Sequence, residues 1–360
     1  MSYQLYMSLT ISGKVYSEKE LTDLAQSQIT RKAILPWEKS LFKFILDWLS
    51  DSDFISIQTS GSTGAAKTME VEKGKMVRSA QLTGQFFNLQ KNDKALLCLP
   101  VDFIAGKMMI VRAFVLGLNV VPVEPSGNPL QKLTEFFDFA AMTPMQIYNT
   151  LKHEDGFQKL NQVKELIIGG GEVNHTLLSE VRKLENKTYH TYGMTETLTH
   201  VALKRLNGHN PECCFNALQG VNFEKDDRDC LVISAPHLSE KKFITNDIVE
   251  LENNQSFNFI GRYDNVINSG GIKISPEKVE QKLSSLIQNR FILAGLPDDL
   301  LGQKVVLIIE GQARSSINFT NTALLKYEIP KQVFFIDNFP ETESGKIIRT
   351  QVLLSVLTKT

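Results

Sequence analysis

The sequence predicts an α/β protein: a large N-terminal domain of helix-covered sheets that includes a mainly β subdomain, followed by a small α+β C-terminal domain. Three observations carry this expectation. Strand-like and helix-like segments alternate between residues 54 and 193. From about residue 215, several strand-like segments follow one another with little helix between them. The final stretch then reads as helix, strands and helix, enough for a unit of its own. Alternation of the first kind calls for a sheet covered by helices. The boundaries expected are 1–263 and 264–360.

Taken in order, Phe54–Gln58 (FISIQ) reads as a short strand. After Lys67, Met69 and Val71 alternate with polar neighbours, which reads as a second strand forming a hairpin with the first. Residues 75–90 have the mixed character of a helix covering a core. ALLCLPV (95–101) is an apolar run closed by proline, a buried strand, and KMMIVRAFVLG (107–117) is a buried helix ended by glycine. NVVPVEP (119–125) is a strand, KELIIGGG (164–171) a strand running into a glycine turn, HTLLSEVRKL (175–184) a helix and TYHTYG (188–193) a strand. The β-rich part comprises CLVISAP (230–236), DIVELEN (247–253) and FNFIGR (257–262). The last unit holds a helix at 276–288, strands at 304–310 and 332–337, and a helix at 347–358.

The bulk numbers set limits. A chain of 360 residues suggests two or three domains, and 42% apolar residues suffice for a sizeable core. A net charge of −1 without a basic stripe argues against nucleic-acid binding. The N-terminus has no signal-peptide pattern, and no apolar run is long enough to span a membrane. Cys98, Cys213, Cys214 and Cys230 make no C-x-x-C pair and no zinc spacing, so reduced thiols in a cytoplasmic enzyme are expected.

The stretch TSGSTGAAK (59–67) concentrates glycines, hydroxyl side chains and a lysine. Backbone N–H groups freed by glycine, together with Ser and Thr hydroxyls, can surround phosphate oxygens. GSTGAAKT differs from the P-loop pattern only at Ala66, yet a P-loop also needs a helix starting at its Lys-Thr. A strand follows here, so the loop joins two strands. Four more stretches stand out: GGGEV (169–173), YGMTET (192–197), FITNDIVE (243–250) with FIGRYDNVINSGG (259–271), and FPETESGKIIR (339–349).

In this order and spacing the five stretches resemble the adenylate-forming superfamily of acyl-CoA synthetases, luciferases and peptide-synthetase adenylation domains. The first matches its signature [ST]-S-G-[ST]-T-G-x-P-K with Thr59, Ser60, Gly61, Ser62, Thr63, Gly64 and Lys67, departing at Ala66, where proline would stiffen the turn. The resemblance implies that this loop holds the pyrophosphate of ATP. It implies that Gly170, Gly171 and Glu172 cover the adenine, that Tyr192 stacks on it, that Thr195 touches the α-phosphate and that Glu196 binds Mg²⁺. Asp247 would accept both ribose hydroxyls, with Asn246 standing where the family has glycine, and Arg262 would contact the ribose side. Asp264 would be the hinge of a mobile C-terminal domain, Gly270 and Gly271 would line the CoA arm, and Lys346 would be the catalytic lysine. The implied reaction has two halves: a carboxylate attacks the ATP α-phosphate and expels pyrophosphate, then the CoA thiolate attacks the acyl carbon and expels AMP.

For the acid, LPVDFIAGKMMIVRA (99–113) has Phe103 where many relatives have histidine, and adds Lys107 and Arg112 to an apolar helix. A buried cation needs a partner. A structural ion pair with a protein carboxylate is one reading; a substrate with a second carboxylate, which suits arginine, is the other. The Gly106–Arg112 spacing and the short region before the signature loop resemble the o-succinylbenzoate–CoA ligases of menaquinone biosynthesis. Other readings stay open: ligation of another aryl, dicarboxylic or fatty acid, loading of a carrier protein, or nucleotide binding without catalysis. The expected partners are ATP, Mg²⁺, CoA and a small carboxylic acid, without nucleic acid or membrane insertion.

Overall fold

Alternating strands and helices in the first 220 residues build a largely parallel sheet with helices as crossovers. The computed structural model describes residues 8–58, 68–284, 286–312, 317–320, 322–342 and 347–358. The chain divides into two compact units: Met1–Glu172, Val181–Val221 and Ser234–Lys241 form one, and Val173–Glu180, Asn222–Ile233 and Lys242–Thr360 the other.

The first unit starts with β1 (Leu9–Ile11), β2 (Lys14–Tyr16), α1 (Glu18–Ile29) and α2 (Pro36–Leu49). The sequence reading placed no elements there. α2 opens with Pro36 at its first turn, where a missing N–H costs nothing, and buries Leu41, Phe44, Ile45 and Trp48 along one face. The expected hairpin is present: β3 (Phe54–Gln58) pairs antiparallel with β4 (Thr68–Glu72), from Phe54 opposite Glu72 to Gln58 opposite Thr68. There follow α3 (Lys73–Phe87), β5 (Lys94–Leu97), α4 (Ile104–Leu116), β6 (Asn119–Pro122), β7 (Phe137–Met142), α5 (Pro144–Leu151), α6 (Gly156–Asn161), β8 (Val163–Ile168), α7 (His175–Val181, mostly within the second unit), β9 (Lys187–Gly193), β10 (His200–Arg205) and β11 (Phe215–Ala217).

The strand order is β2-β1-β6-β5-β7-β8-β9-β10-β11. The run from β1 to β9 is parallel, and β10 and β11 add antiparallel strands beyond it. A parallel sheet covered on both faces needs apolar residues at consecutive positions. Leu96, Phe139, Ala140, Leu166 and Ile168 meet that need, all with no exposed surface. β5 ends at Leu97, earlier than the run to Val101 suggests, because Pro100 cannot donate a ladder bond. α4 begins three residues before the expected start, and Gly117 caps it at φ +68° in the left-handed region.

The second unit contains β12 (Asn222–Lys225), β13 (Cys230–Ser234), β14 (Phe243–Asn253) and β15 (Ser256–Arg262), neighbours in that order. Its C-terminal part holds β16 (Ile267–Ser269), β17 (Ile272–Ile274), α8 (Pro276–Leu283), β18 (Phe291–Asp298), β19 (Gly302–Glu310), β20 (Gln332–Ile336) and α9 (Arg349–Leu357). β19 is the axis, antiparallel to β16 and β18 and parallel to β20. Its residues alternate between two cores. Val305, Leu307 and Ile309 meet Val279 and Leu283 of α8, whereas Val306 and Ile308 meet Val352 and Val356 of α9. The period of two along a strand thus explains an uninterrupted apolar run, since both faces are covered. α8 stops at Leu283, short of the expected residue 288.

Leu307 is wholly buried at the centre of one of these cores. Leu307→Ala is expected to lower stability by about 2–5 kcal/mol through lost burial and a residual cavity, measurable as a lower urea midpoint at unchanged slope.

Candidate active site

β8 ends at Ile168 and turns through Gly169–Glu172. Gly170 has φ +78°, a conformation glycine reaches without strain. The turn is fastened to β9: His190 Nε2 lies 3.1 Å from the Gly171 carbonyl, and the Thr191 hydroxyl donates to the Ile168 carbonyl at 3.2 Å. A Cβ on Gly169 would stand 2.5 Å from Thr191 Oγ1, so the turn approaches the strand as closely as only glycine permits. His190 and Tyr192, two apart on β9, share a face. Both rings lie against Phe215, with centroids 5.2 and 5.8 Å away. Since a carbonyl can only accept, His190 donates through Nε2 to Gly171. Burial pushes its pKa down to about 4, against the pull of that bond.

At the end of β9 the chain reverses. A Cβ on Gly193 would sit 2.3 Å from the Thr199 carbonyl oxygen, so a side chain there would break the turn. Thr195–Thr197 form one 3-10 turn, and Leu198 takes φ +64°, a costly conformation for a leucine. The buried Thr197 hydroxyl holds the reversal together. It accepts from the Met194 N–H at 2.9 Å and lies within 3.0 Å of the Met194 and Thr199 carbonyls. Thr195 is half-buried and Glu196 exposed. The Glu196 carboxylate has no ion pair or hydrogen bond among the described residues, which fits a group that shares Mg²⁺ with substrate phosphates. No cluster of three or more His, Cys, Asp or Glu residues suited to a metal occurs among the described residues.

Beneath this turn runs a buried polar chain. Arg112 is only 2% exposed and donates through Nη2 to Thr199 Oγ1 at 2.8 Å. Arginine only donates, so the Thr199 hydroxyl accepts from Arg112, and the same hydroxyl lies 3.1 Å from His200 Nδ1. His200 Nε2 faces Thr83 Oγ1 at 3.5 Å, and Thr83 donates to the Ser79 carbonyl at 3.2 Å. Burial, with the Arg112 charge beside it, pushes the His200 pKa well down. Among the described residues no carboxylate pairs with Arg112. Its Nε has no partner, its guanidinium stands over the Phe139 ring, and burial lowers its pKa to about 10. Lys107 does not converge with it: its ammonium lies over the Phe44 ring of α2 at 5.1 Å.

In the second unit, Asp247 on β14 faces Arg262 on β15. Arg262 reaches Asp247 at 3.3 Å and Asp264 at 3.2 Å. Asn246 adds a bridge: its amide donates to both Asp264 oxygens at 3.2 and 3.3 Å, and its carbonyl accepts from Arg228 Nη1 at 2.8 Å. Gly270 and Gly271, at φ +57° and +81°, form the two-residue turn of the β16–β17 hairpin. Arg349 grips Glu280 with two bonds of 2.8 and 2.6 Å, and Glu280 also accepts from the Leu293 N–H. This fixes the start of α9, directly after the lysine motif. Thr59, Ser60, Gly61, Ser62, Thr63, Gly64, Lys67 and Lys346 lie outside the described residues; their flanking strands and helix are described above. His190, Thr197, Thr199, His200 and Arg228 escaped the sequence reading. Only His190 had a signal, its two-residue spacing from Tyr192.

A model of the AMP-binding enzyme family matches residues 14–221, more than half of the chain. The 2-succinylbenzoate–CoA ligase of Lactococcus lactis is 23% identical, over 94% of this chain and 79% of its own length. Among solved structures, an acyl-CoA synthetase (AMP-forming)/AMP-acid ligase II-like protein from Dyadobacter fermentans is 35% identical, with a TM-score of 0.63 over 93% of this chain and 98% of its own. The o-succinylbenzoate CoA synthetase of Bacillus subtilis, solved with the acyl-adenylate OSB-AMP, shares the fold at 16% identity, with a TM-score of 0.72 over 97% of this chain and 96% of its own.

The buried neutral histidines imply a pH dependence of stability. His190 titrates near 4 when folded and near its ordinary 6.5 when unfolded, so the unfolded chain binds more protons between these values. Its contribution is complete above about pH 6.5 and is lost as pH falls towards 4, a change of about 3 kcal/mol. Urea unfolding between pH 7.5 and 4.5 is expected to show this fall, and His190→Gln to show a shallower one.

Proposed function

The chain belongs to the AMP-binding enzyme family, and from that premise we propose that it is an ATP-dependent carboxylate–CoA ligase working through an acyl-adenylate, with o-succinylbenzoate as its acid. The products are o-succinylbenzoyl-CoA, AMP and pyrophosphate, as a step of menaquinone biosynthesis. The names of its relatives support the reaction class and the acid.

A carboxylate is already a nucleophile at neutral pH, so the first half-reaction needs positioning and charge neutralisation. Tyr192 and the Gly170–Glu172 turn hold the adenine, Asp247 and Arg262 the ribose, and Thr195 the α-phosphate. The loop with Thr59, Ser60, Gly61, Ser62, Thr63, Gly64 and Lys67 holds the leaving pyrophosphate. Glu196 would hold Mg²⁺, which supplies Lewis-acid neutralisation of phosphate charge. Lys346 neutralises the attacking carboxylate and the α-phosphate together. Rotation about Asp264, between domains 1–263 and 264–360, then withdraws Lys346 and brings Gly270 and Gly271 to the CoA arm.

The observation that carries the choice of acid is Arg112, a buried cation without a carboxylate partner among the described residues. o-Succinylbenzoate has an aromatic carboxylate besides the one activated, and that second charge would complete the pairing. A fatty acid offers nothing to it.

Pyrophosphate release over a panel of acids, with and without CoA, tests the reading. Turnover of o-succinylbenzoate is expected, and turnover of long-chain fatty acids in its place would overturn it. Arg112→Lys is expected to raise KM for o-succinylbenzoate by about 10- to 100-fold, as a paired guanidinium contact is lost, while KM for ATP stays unchanged. Lys346→Ala is expected to abolish adenylate formation and to spare thioester formation from supplied adenylate. Equal loss in both half-reactions would contradict that role.

A further inference from the structure

Cys213 and Cys214 take no part in the chemistry described so far. They sit at the entrance to β11, next to Phe215, with Cys213 exposed and Cys214 buried. Their sulfurs are 3.0 Å apart, inside van der Waals contact. Lys204 completes the surroundings: its ammonium lies 5.9 Å from the Phe215 ring, and burial lowers its pKa, an effect that negative charge on either sulfur opposes. The same Phe215 ring supports Tyr192 at 5.8 Å and His190 at 5.2 Å, and His190 in turn holds the Gly171 carbonyl. The dithiol thus adjoins, through one buried ring, the two elements read as the adenine site. Of the remaining thiols, burial pushes Cys98 up to about 12 and raises Cys230 as well.

We propose that Cys213–Cys214 is a reversible redox modification site whose closure to a vicinal disulfide displaces Phe215 and weakens ATP binding. The part concerning ATP rests on the reading of Tyr192 as the adenine platform. The oxidant class is a low-molecular-weight disulfide such as oxidised glutathione. The accessible Cys213 thiolate attacks one of its sulfurs, forming a mixed disulfide and releasing one thiolate. The Cys214 thiolate then attacks Cys213 Sγ and releases the second. Two thiol protons pass to the two departing thiolates, and two electrons move from the protein to the oxidant. Closure draws the sulfurs from 3.0 Å to about 2.0 Å, and so pulls on the backbone that leads into Phe215. Adjacent Cα atoms lie about 3.8 Å apart, below the usual disulfide range, so the ring is strained. A strained, exposed disulfide is readily reduced, which makes the modification reversible.

The full chain is incubated with oxidised glutathione and examined by intact and peptide mass spectrometry. The expected result is loss of two hydrogens from the peptide holding residues 213 and 214. It comes with a rise in KM for ATP of about fivefold or more, the worth of a weakened base–aromatic stack, and unchanged KM for the acid. Dithiothreitol reverses both, and Cys213→Ser abolishes both while keeping basal activity. Absence of the disulfide, or a disulfide that leaves KM for ATP unchanged, would overturn the proposal. Tyr192→Ala separates the two layers: if it leaves KM for ATP unchanged, the adenine reading fails, while the modification site is still decided by mass.

Discussion

Parallel strands buried on both faces leave a protein only one place to present backbone groups to a ligand, the carboxyl ends of those strands. In the first unit the β1–β9 run is parallel, and β8 and β9 release their chain at the same end. Open α/β sheets bind ligands at such ends. Here that end carries the Gly169–Glu172 turn and the Tyr192–Glu196 segment side by side. The tether from His190 to Gly171 and the close approach of Gly193 to Thr199 convert two loops into one surface. Their glycines are required by contact distances and backbone sign.

Charge is organised just as strictly. Arg112 donates to Thr199, and polar contacts continue from Thr199 through His200 and Thr83 to the Ser79 carbonyl. Polar groups linked in this way polarise one another in a low-dielectric interior. Thr199 belongs both to this chain and to the reversal that bears Thr195 and Glu196, which joins the cation to the proposed phosphate contacts. The histidines stay neutral, so around neutral pH the fixed positive charge of this network resides on Arg112.

Much of this was legible in the sequence. Period-two and period-3.6 patterns gave the strand–helix alternation, and the β3–β4 hairpin followed from the strand pattern of Phe54–Gln58 with the alternation of Met69 and Val71. Among the described residues, the motif residues of the first unit gather at the ends of β8 and β9. Other features were illegible for physical reasons. α1 is short and polar over most of its surface, so its weak apolar stripe gave no clear signal. Thr197, Thr199 and His200 are ordinary residues in ordinary positions. Their importance comes from a strained Leu198 and an arginine 87 residues distant from Thr199, and no local pattern records such contacts. The reading of Arg112 allowed a protein carboxylate as partner, because sequence cannot tell a buried ion pair from a cation donating to a hydroxyl.

The departures from the family pattern carry physical content of their own. Where related loops have glycine, Asn246 supplies an amide that accepts from Arg228 and donates to Asp264. Arg228 is in turn fixed by Asp226 and lies over the Tyr263 ring. A glycine at 246 would leave Asp264 held by Arg262 alone among these side chains, through a partly exposed pair of small energetic weight. Asn246 therefore adds a second restraint to the residue proposed as the hinge, and does so from the strand whose Asp247 is proposed to hold the ribose. The proposed ribose contact, Asp247, and the residue that restrains the proposed hinge, Asn246, are thus neighbours on one strand.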